Sequence, residues 1–231
     1  MSEIRLSRPI VSVVSNGQGS IGGNQRLFEN STMRGYGCGV IAGADLLYYL
    51  ALTRPEWATP YTGIPRGSEV SFEQYSRLCE RLRRSFMPII PRFGKTGPAL
   101  ALGLNAYFSR YSIPLRARWC VGHEKLFERI EEMLKADIPV IFSVGANFPL
   151  FWGKHRVRLY APSDSGSLSA AAGTKGHFMT VTGMDGDFLR VSSWGREYFI
   201  SRREYTAYVK SHGCPVTSSI MYITNKSGPP V

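Results

Sequence analysis

The chain has 231 residues, 43% hydrophobic and 19% charged, a balance that supports a packed core and excludes disorder or a coiled coil for the bulk of the molecule. Lys and Arg outnumber Asp and Glu by 28 to 17, a net charge of +11, which raises nucleic acid or another anionic polymer as a partner. No nucleic-acid motif accompanies that charge, and its densest stretch, Arg77 with Arg81 and Arg84 at helical spacing, reads as a solvated helix face rather than a specific nucleic-acid groove.

In chain order, residues 10–14 suggest an edge strand, and the Gly, Ser and Asn of residues 15–24 a loop. Residues 38–52 are apolar almost all round, which predicts a helix buried on most sides. Ser71 and Gln74 stand in capping-box spacing before an amphipathic helix to residue 86, and Thr96 with Pro98 opens another to residue 111. An extended piece over 115–119, a helix over 124–135 and a buried strand over 138–144 follow. Residues 161–176, rich in Ser, Ala and Gly, read as a long functional or mobile loop. Strands over 177–182, 188–192 and 197–200, with a turn at Asp185-Gly186, predict an antiparallel meander. Ser201 and Glu204 cap a short helix, and a strand over 219–224 ends the series. The class is α+β: a helical half with a central buried helix, packed on a C-terminal antiparallel sheet.

The chain reads as one domain over residues 1–231, with an arm and loop over 1–22 and a tail over 225–231. No apolar run reaches the roughly 18 to 20 residues of a membrane span, and the charged N-terminus holds no signal-peptide core. The expected setting is cytoplasmic, with thiols reduced. No two of the four cysteines lie closer than 41 residues, so there is no CxxC motif, and no metal or organic cofactor is expected.

Cys38 follows Gly35-Tyr36-Gly37 and opens the buried helix, where unpaired N–H groups and the positive dipole end favour a thiolate. Cys79, Cys120 and Cys214 read as core residues. A cysteine becomes a nucleophile when an imidazole stands beside it to form a thiolate–imidazolium pair and a third group holds the ring. His177, at the start of a strand directly after the glycine-rich stretch, is the candidate. Trp194 is expected to pack over it, Asp45 receives no role, and Phe148, Phe151 and Trp152 are read as loop anchors or cleft lining.

The blocks GYGCGVIAGADLLYYL and GHFMTVTGMDGDFLRVSSWG resemble the papain-like cysteine peptidase superfamily, within it the bacteriocin leader-processing (double-glycine) peptidases and related bacterial proteins. The resemblance implies a papain-like fold, Cys38 as nucleophile and His177 as general base and then acid. His177 lies 139 residues after Cys38, which matches the papain and cathepsin interval. The family places an Asn or Asp about sixteen residues after the histidine. Here the positions are Ser193 and, alternatively, Ser192, which supply a hydroxyl but no charge. The family's glutamine before the cysteine has Gln25 as its candidate here, with Asn30 the alternative, to complete an oxyanion hole with the Cys38 N–H. The expected activity is hydrolysis of a peptide or other amide bond in a peptide or protein substrate. The rivals are a catalytically impaired module that binds peptides and a basic binder of anionic polymers.

Overall fold

The computed structural model describes residues 3–64, 67–91, 94–163 and 165–226. Most of the tail over 225–231, and the first two residues of the arm, lie outside them. The arm is structured: β1 (Ile4–Arg5) and the hairpin β2 (Ser12–Ser15) and β3 (Gln18–Ile21) precede two helices, α1 (Ser31–Tyr36) and α2 (Cys38–Thr53). Next come β4 (Glu69–Ser71), α3 (Phe72–Ser85), α4 (Gly97–Arg110), β5 (Leu115–Trp119), α5 (Leu126–Lys135) and β6 (Val140–Val144). The chain continues through β7 (Val157–Pro162), β8 (Leu168–Thr174), β9 (His177–Asp185), β10 (Phe188–Ser193), β11 (Arg196–Ser201), α6 (Arg202–His212) and β12 (Ile220–Asn225).

The architecture is α+β. A large antiparallel sheet runs in the order β5-β12-β6-β9-β10-β11-β7-β8, with β1 also pairing to β9, and a small sheet runs β3-β2-β4. Helix α2 packs against β9 and β6 on one side and against α3 and α4 on the other, and every residue from Gly39 to Leu52 is buried. That is the outcome for a helix with no polar face. The three predicted caps form: Ser71 accepts from the Gln74 N–H at 3.2 Å, Thr96 from the Ala99 N–H at 3.4 Å and Ser201 from the Glu204 N–H at 3.3 Å.

Several expectations are corrected. The loop over 15–24 contains β3, because Asn16 and Gly17 both take positive φ (50° and 75°) and turn the chain back on itself as a hairpin. Residues 12–15 are therefore the middle strand of the small sheet, not an edge. The long loop over 161–176 is largely β8, seven residues whose low strand propensity is overridden by pairing along β7. Cys79 is buried, but Cys120 is exposed and Cys214 half-buried. Arg77 pairs with Glu73, and Arg83 and Arg84 with Glu80. Arg81 departs from the solvated face: its guanidinium lies over the Tyr61 and Phe86 rings, each at 5.4 Å.

The hairpin returns to the helices through Gly22 and Gly23. Gly22 has φ +69°, and a Cβ there would collide with Ser192 Oγ and approach Asp45 Oδ2 to 2.7 Å. Gly17 has φ +75° with nothing near its Cβ position. Gly17→Ala should therefore lose only the left-handed penalty, about 1–2 kcal/mol, and Gly22→Ala about 2–4 kcal/mol, since overpacking adds to it. Urea midpoints at unchanged m-value measure both; equal losses would show that the contact beneath Gly22 carries no weight.

Candidate functional site

The start of α2 and the start of β9 meet at one end of the large sheet, because α2 lies along β9. A narrow cleft at this junction is lined by Gln25, Cys38, His177, Ser193 and Trp194, together with Gly23, Asp45, Thr180 and Ser192. It has space for about one water molecule.

Cys38 is half-buried, and its thiol faces backbone N–H groups of Phe178 and Gly39 as well as its own. Phe178 directly follows His177, so the sulfur lies beside the start of β9. Burial pushes the Cys38 thiol above its ordinary value despite these N–H groups. His177, 7% exposed, is pushed down to about 4, first by burial and then by the cation of Arg26. Both directions run toward the neutral thiol and the neutral imidazole, against the helix-start effect that favours a thiolate. Among the described residues no hydrogen bond joins Cys38 to the His177 ring.

Ser193 Oγ lies 2.8 Å from His177 Nε2, which leaves Nδ1 as the ring nitrogen available for chemistry. Trp194 stacks on the imidazole, with centroids 4.5 Å apart and planes 22° from parallel, and Arg26 lies over the outer part of this stack, 5.5 Å from the indole centroid. Ser192 is directed elsewhere: it donates to the Ile21 carbonyl at 2.7 Å and so fastens the hairpin. Asn30 is exposed and caps α1, accepting from the Met33 N–H at 3.0 Å, so this alternative does not enter the cleft. Gln25 does: it is buried, and its Nε2 donates one proton to the Arg34 carbonyl at 2.9 Å, with no partner for the other among the described residues. Phe148, Phe151 and Trp152 neither line this cleft nor anchor their loop, since all three are exposed.

Asp45, to which sequence reasoning assigned nothing, lies under the cleft. Its Oδ1 accepts from the Tyr75 hydroxyl at 2.7 Å and from the Gly23 N–H at 2.9 Å. The second bond fixes the strap that leads into Gln25, so Asp45 positions Gln25 through the backbone. Its spacing of seven from Cys38 on one helix is the signal that could have found it. Thr180 Oγ1, also in the cleft wall, is buried with no hydrogen-bond partner among the described residues. Burial raises the Asp45 carboxyl to about 7.

A comparison with protein-family models, with curated proteins and with solved structures finds no match for this chain.

The two shifts act oppositely on stability. His177 binds its proton more weakly folded than unfolded, so its contribution falls as pH drops from about 6.5 toward 4. Asp45 binds its proton more tightly folded, so its contribution is present below about 3.8 and is lost as pH rises to about 7. The wild-type slopes offset one another between about 4 and 6.5. In His177→Ala, stability should fall with rising pH across this window, and in Asp45→Asn it should rise. Urea titrations at several pH values measure this, and parallel profiles for the two variants would refute the assignment. Arg26→Gln should raise the His177 pKa, as read from its ring-proton NMR titration, because a nearby cation is removed.

Proposed function

We propose that this chain is a papain-like cysteine hydrolase acting on a peptide or other amide bond, with Cys38 as nucleophile and His177 as general base and then general acid. The observation that carries the reading is the convergence in one cleft of a helix-start cysteine, a histidine with Ser193 on Nε2 and an indole on its face, and a buried glutamine amide. The two sequence blocks that resemble the papain-like peptidases contain Cys38 and His177.

Because burial moves both groups toward their neutral forms, the first step is written as general-base catalysis. The Cys38 S–H proton passes to His177 as the sulfur bonds to the carbonyl carbon, and the carbonyl oxygen becomes an oxyanion. The Cys38 N–H, which has no intrahelical acceptor in the first turn, and the second Gln25 amide proton stabilise that charge. Collapse returns the proton from His177 to the leaving amine and leaves an acyl group on sulfur. Water then gives its proton to His177, attacks the thioester and releases the acid, while the proton on the ring returns to the sulfur. Ser193 holds the ring as a positioning residue, and Trp194 with Arg26 shields it from solvent.

An activated ester such as p-nitrophenyl acetate tests this without knowledge of the natural substrate. Intact-protein mass spectrometry should find a single acyl adduct, on Cys38. The acylation rate should rise through pH about 4 as imidazolium loses its proton and fall about 10²–10⁴-fold in His177→Ala. Ser193→Ala should lose five- to tenfold, about 1 kcal/mol for one neutral hydrogen bond. Acylation of Cys120 and Cys214 as fast as of Cys38, or indifference to His177→Ala, would sink the mechanism. The rival, a peptide-binding module, draws on the absence of charge at Ser193; saturable peptide binding with no acyl adduct is its signature.

A further inference from the structure

The connection from β6 to β7 carries the densest run of exposed large hydrophobic side chains among the described residues. Phe148 is 45% exposed, Leu150 53%, Phe151 57% and Trp152 76%. Exposed apolar residues elsewhere, such as Ile64, Ile90 and Leu102, are scattered singly, which is ordinary for a protein surface. Four within five positions are not ordinary.

The tip is held out by a built base. Asn147 is buried; its amide donates to the His155 carbonyl at 3.0 Å and to the Tyr208 hydroxyl at 2.9 Å, and its oxygen accepts from the His155 N–H at 3.1 Å. The Gly153 N–H closes a turn onto the Leu150 carbonyl at 2.7 Å, and Lys175 donates to the Gly153 carbonyl. Phe148 and Phe151 meet edge to face at 6.0 Å.

Directly after the tip in the chain stands a cationic collar: Lys154, Arg156 and Arg158 are exposed, and no Asp or Glu occurs between Ile138 and Ser163. Arg158 pairs with Glu204; among the described residues Lys154 and Arg156 have no acidic partner, and Arg156 reaches only the Gly173 carbonyl, at 3.1 Å. An apolar tip with indole and phenyl groups next to these cations matches the layered chemistry of a bilayer surface: hydrocarbon, then interface, then anionic phosphate.

We propose that residues 148–156 dock this protein on an anionic lipid bilayer, with Phe148, Leu150, Phe151 and Trp152 entering the interface and Lys154 and Arg156 meeting lipid phosphates. The mode is peripheral, since no helix among the described residues is long and apolar enough to cross a membrane. Val144 pairs with His177, so the loop leaves the sheet at the end where His177 lies, and docking turns that end toward the lipid. The docking itself does not depend on the hydrolase reading.

Flotation of the full chain with phosphatidylcholine vesicles, with and without phosphatidylserine, tests this. Binding is expected to the anionic vesicles, to weaken with salt, and to blue-shift tryptophan emission in wild type but not in Trp152→Phe. Phe151→Ser with Trp152→Ser should weaken binding by about tenfold or more, and Lys154→Glu with Arg156→Glu should remove the preference for anionic lipid. Circular dichroism and the urea midpoint establish that these variants fold. No binding to either vesicle overturns the proposal. So does an equal loss in Arg77→Glu with Arg84→Glu, which would make adsorption a property of net charge. If Phe151→Ser with Trp152→Ser instead abolishes a dimer seen by sedimentation, with no vesicle binding, the tip is a contact between copies and the proposal fails.

Discussion

Helix α2 constrains everything around it. From Gly39 to Leu52 it has no face that water can wet, so the fold must cover it on every side, with β9 and β6 on one flank and α3 and α4 on another. Small residues let the cover come close: a Cβ on Gly39 would lie 3.4 Å from Phe178, and one on Gly43 3.2 Å from Met87. This packing, driven by apolar burial, sets the N-terminus of α2 against the start of β9. The proximity of Cys38 and the His177 strand thus follows from covering the helix, before any chemistry is considered.

The same burial sets the electrostatics of the cleft. A helix N-terminus favours an anion by about 0.3–1 kcal/mol, up to about 2 in partly buried geometry. Desolvation of a buried ionisable group can shift its pKa by as much as 3–5 units, about 4–7 kcal/mol. Desolvation is the larger effect, and the directions at Cys38, His177 and Asp45 all follow it: each is moved toward its neutral form. Beneath the cleft, Asp45 ties Tyr75 on α3 and Gly23 in the hairpin strap to one carboxyl group, so the small N-terminal sheet is fastened to the central helix two residues before Gln25.

The loop over 148–156 departs from this logic of covering apolar surface. It leaves four large side chains in water next to Lys154 and Arg156, which have no acidic partner among the described residues, while the hydrogen bonds of Asn147 hold its base. Structure is maintained where the loop joins the sheet and apolar surface is presented where it ends, a division expected of a surface made for a partner rather than for the core.

Features that act within one or two helical turns were legible in the amino-acid sequence. The caps at Ser71, Thr96 and Ser201 are local hydrogen bonds, the apolar run of α2 announces its burial, and Gly186 marks the β9–β10 hairpin, whose two turn residues are Gly186-Asp187, one place later than the expected Asp185-Gly186. The α+β class follows from the order of such elements. What depends on partners distant in sequence was decided only by the tertiary structure. Strand β8 exists because β7 offers it a ladder. Alternation along β10 places Ser192 and Ser193 on opposite faces, but only the packed sheet decides that Ser193 meets His177 while Ser192 fastens the hairpin. Asn30 and Gln25 are both amides before the cysteine, and the fold commits one to a helix cap and turns the other into the cleft. Charge state is the clearest case: a sequence shows the helix start that favours a thiolate, whereas the desolvation that outweighs it arises from everything packed around the site.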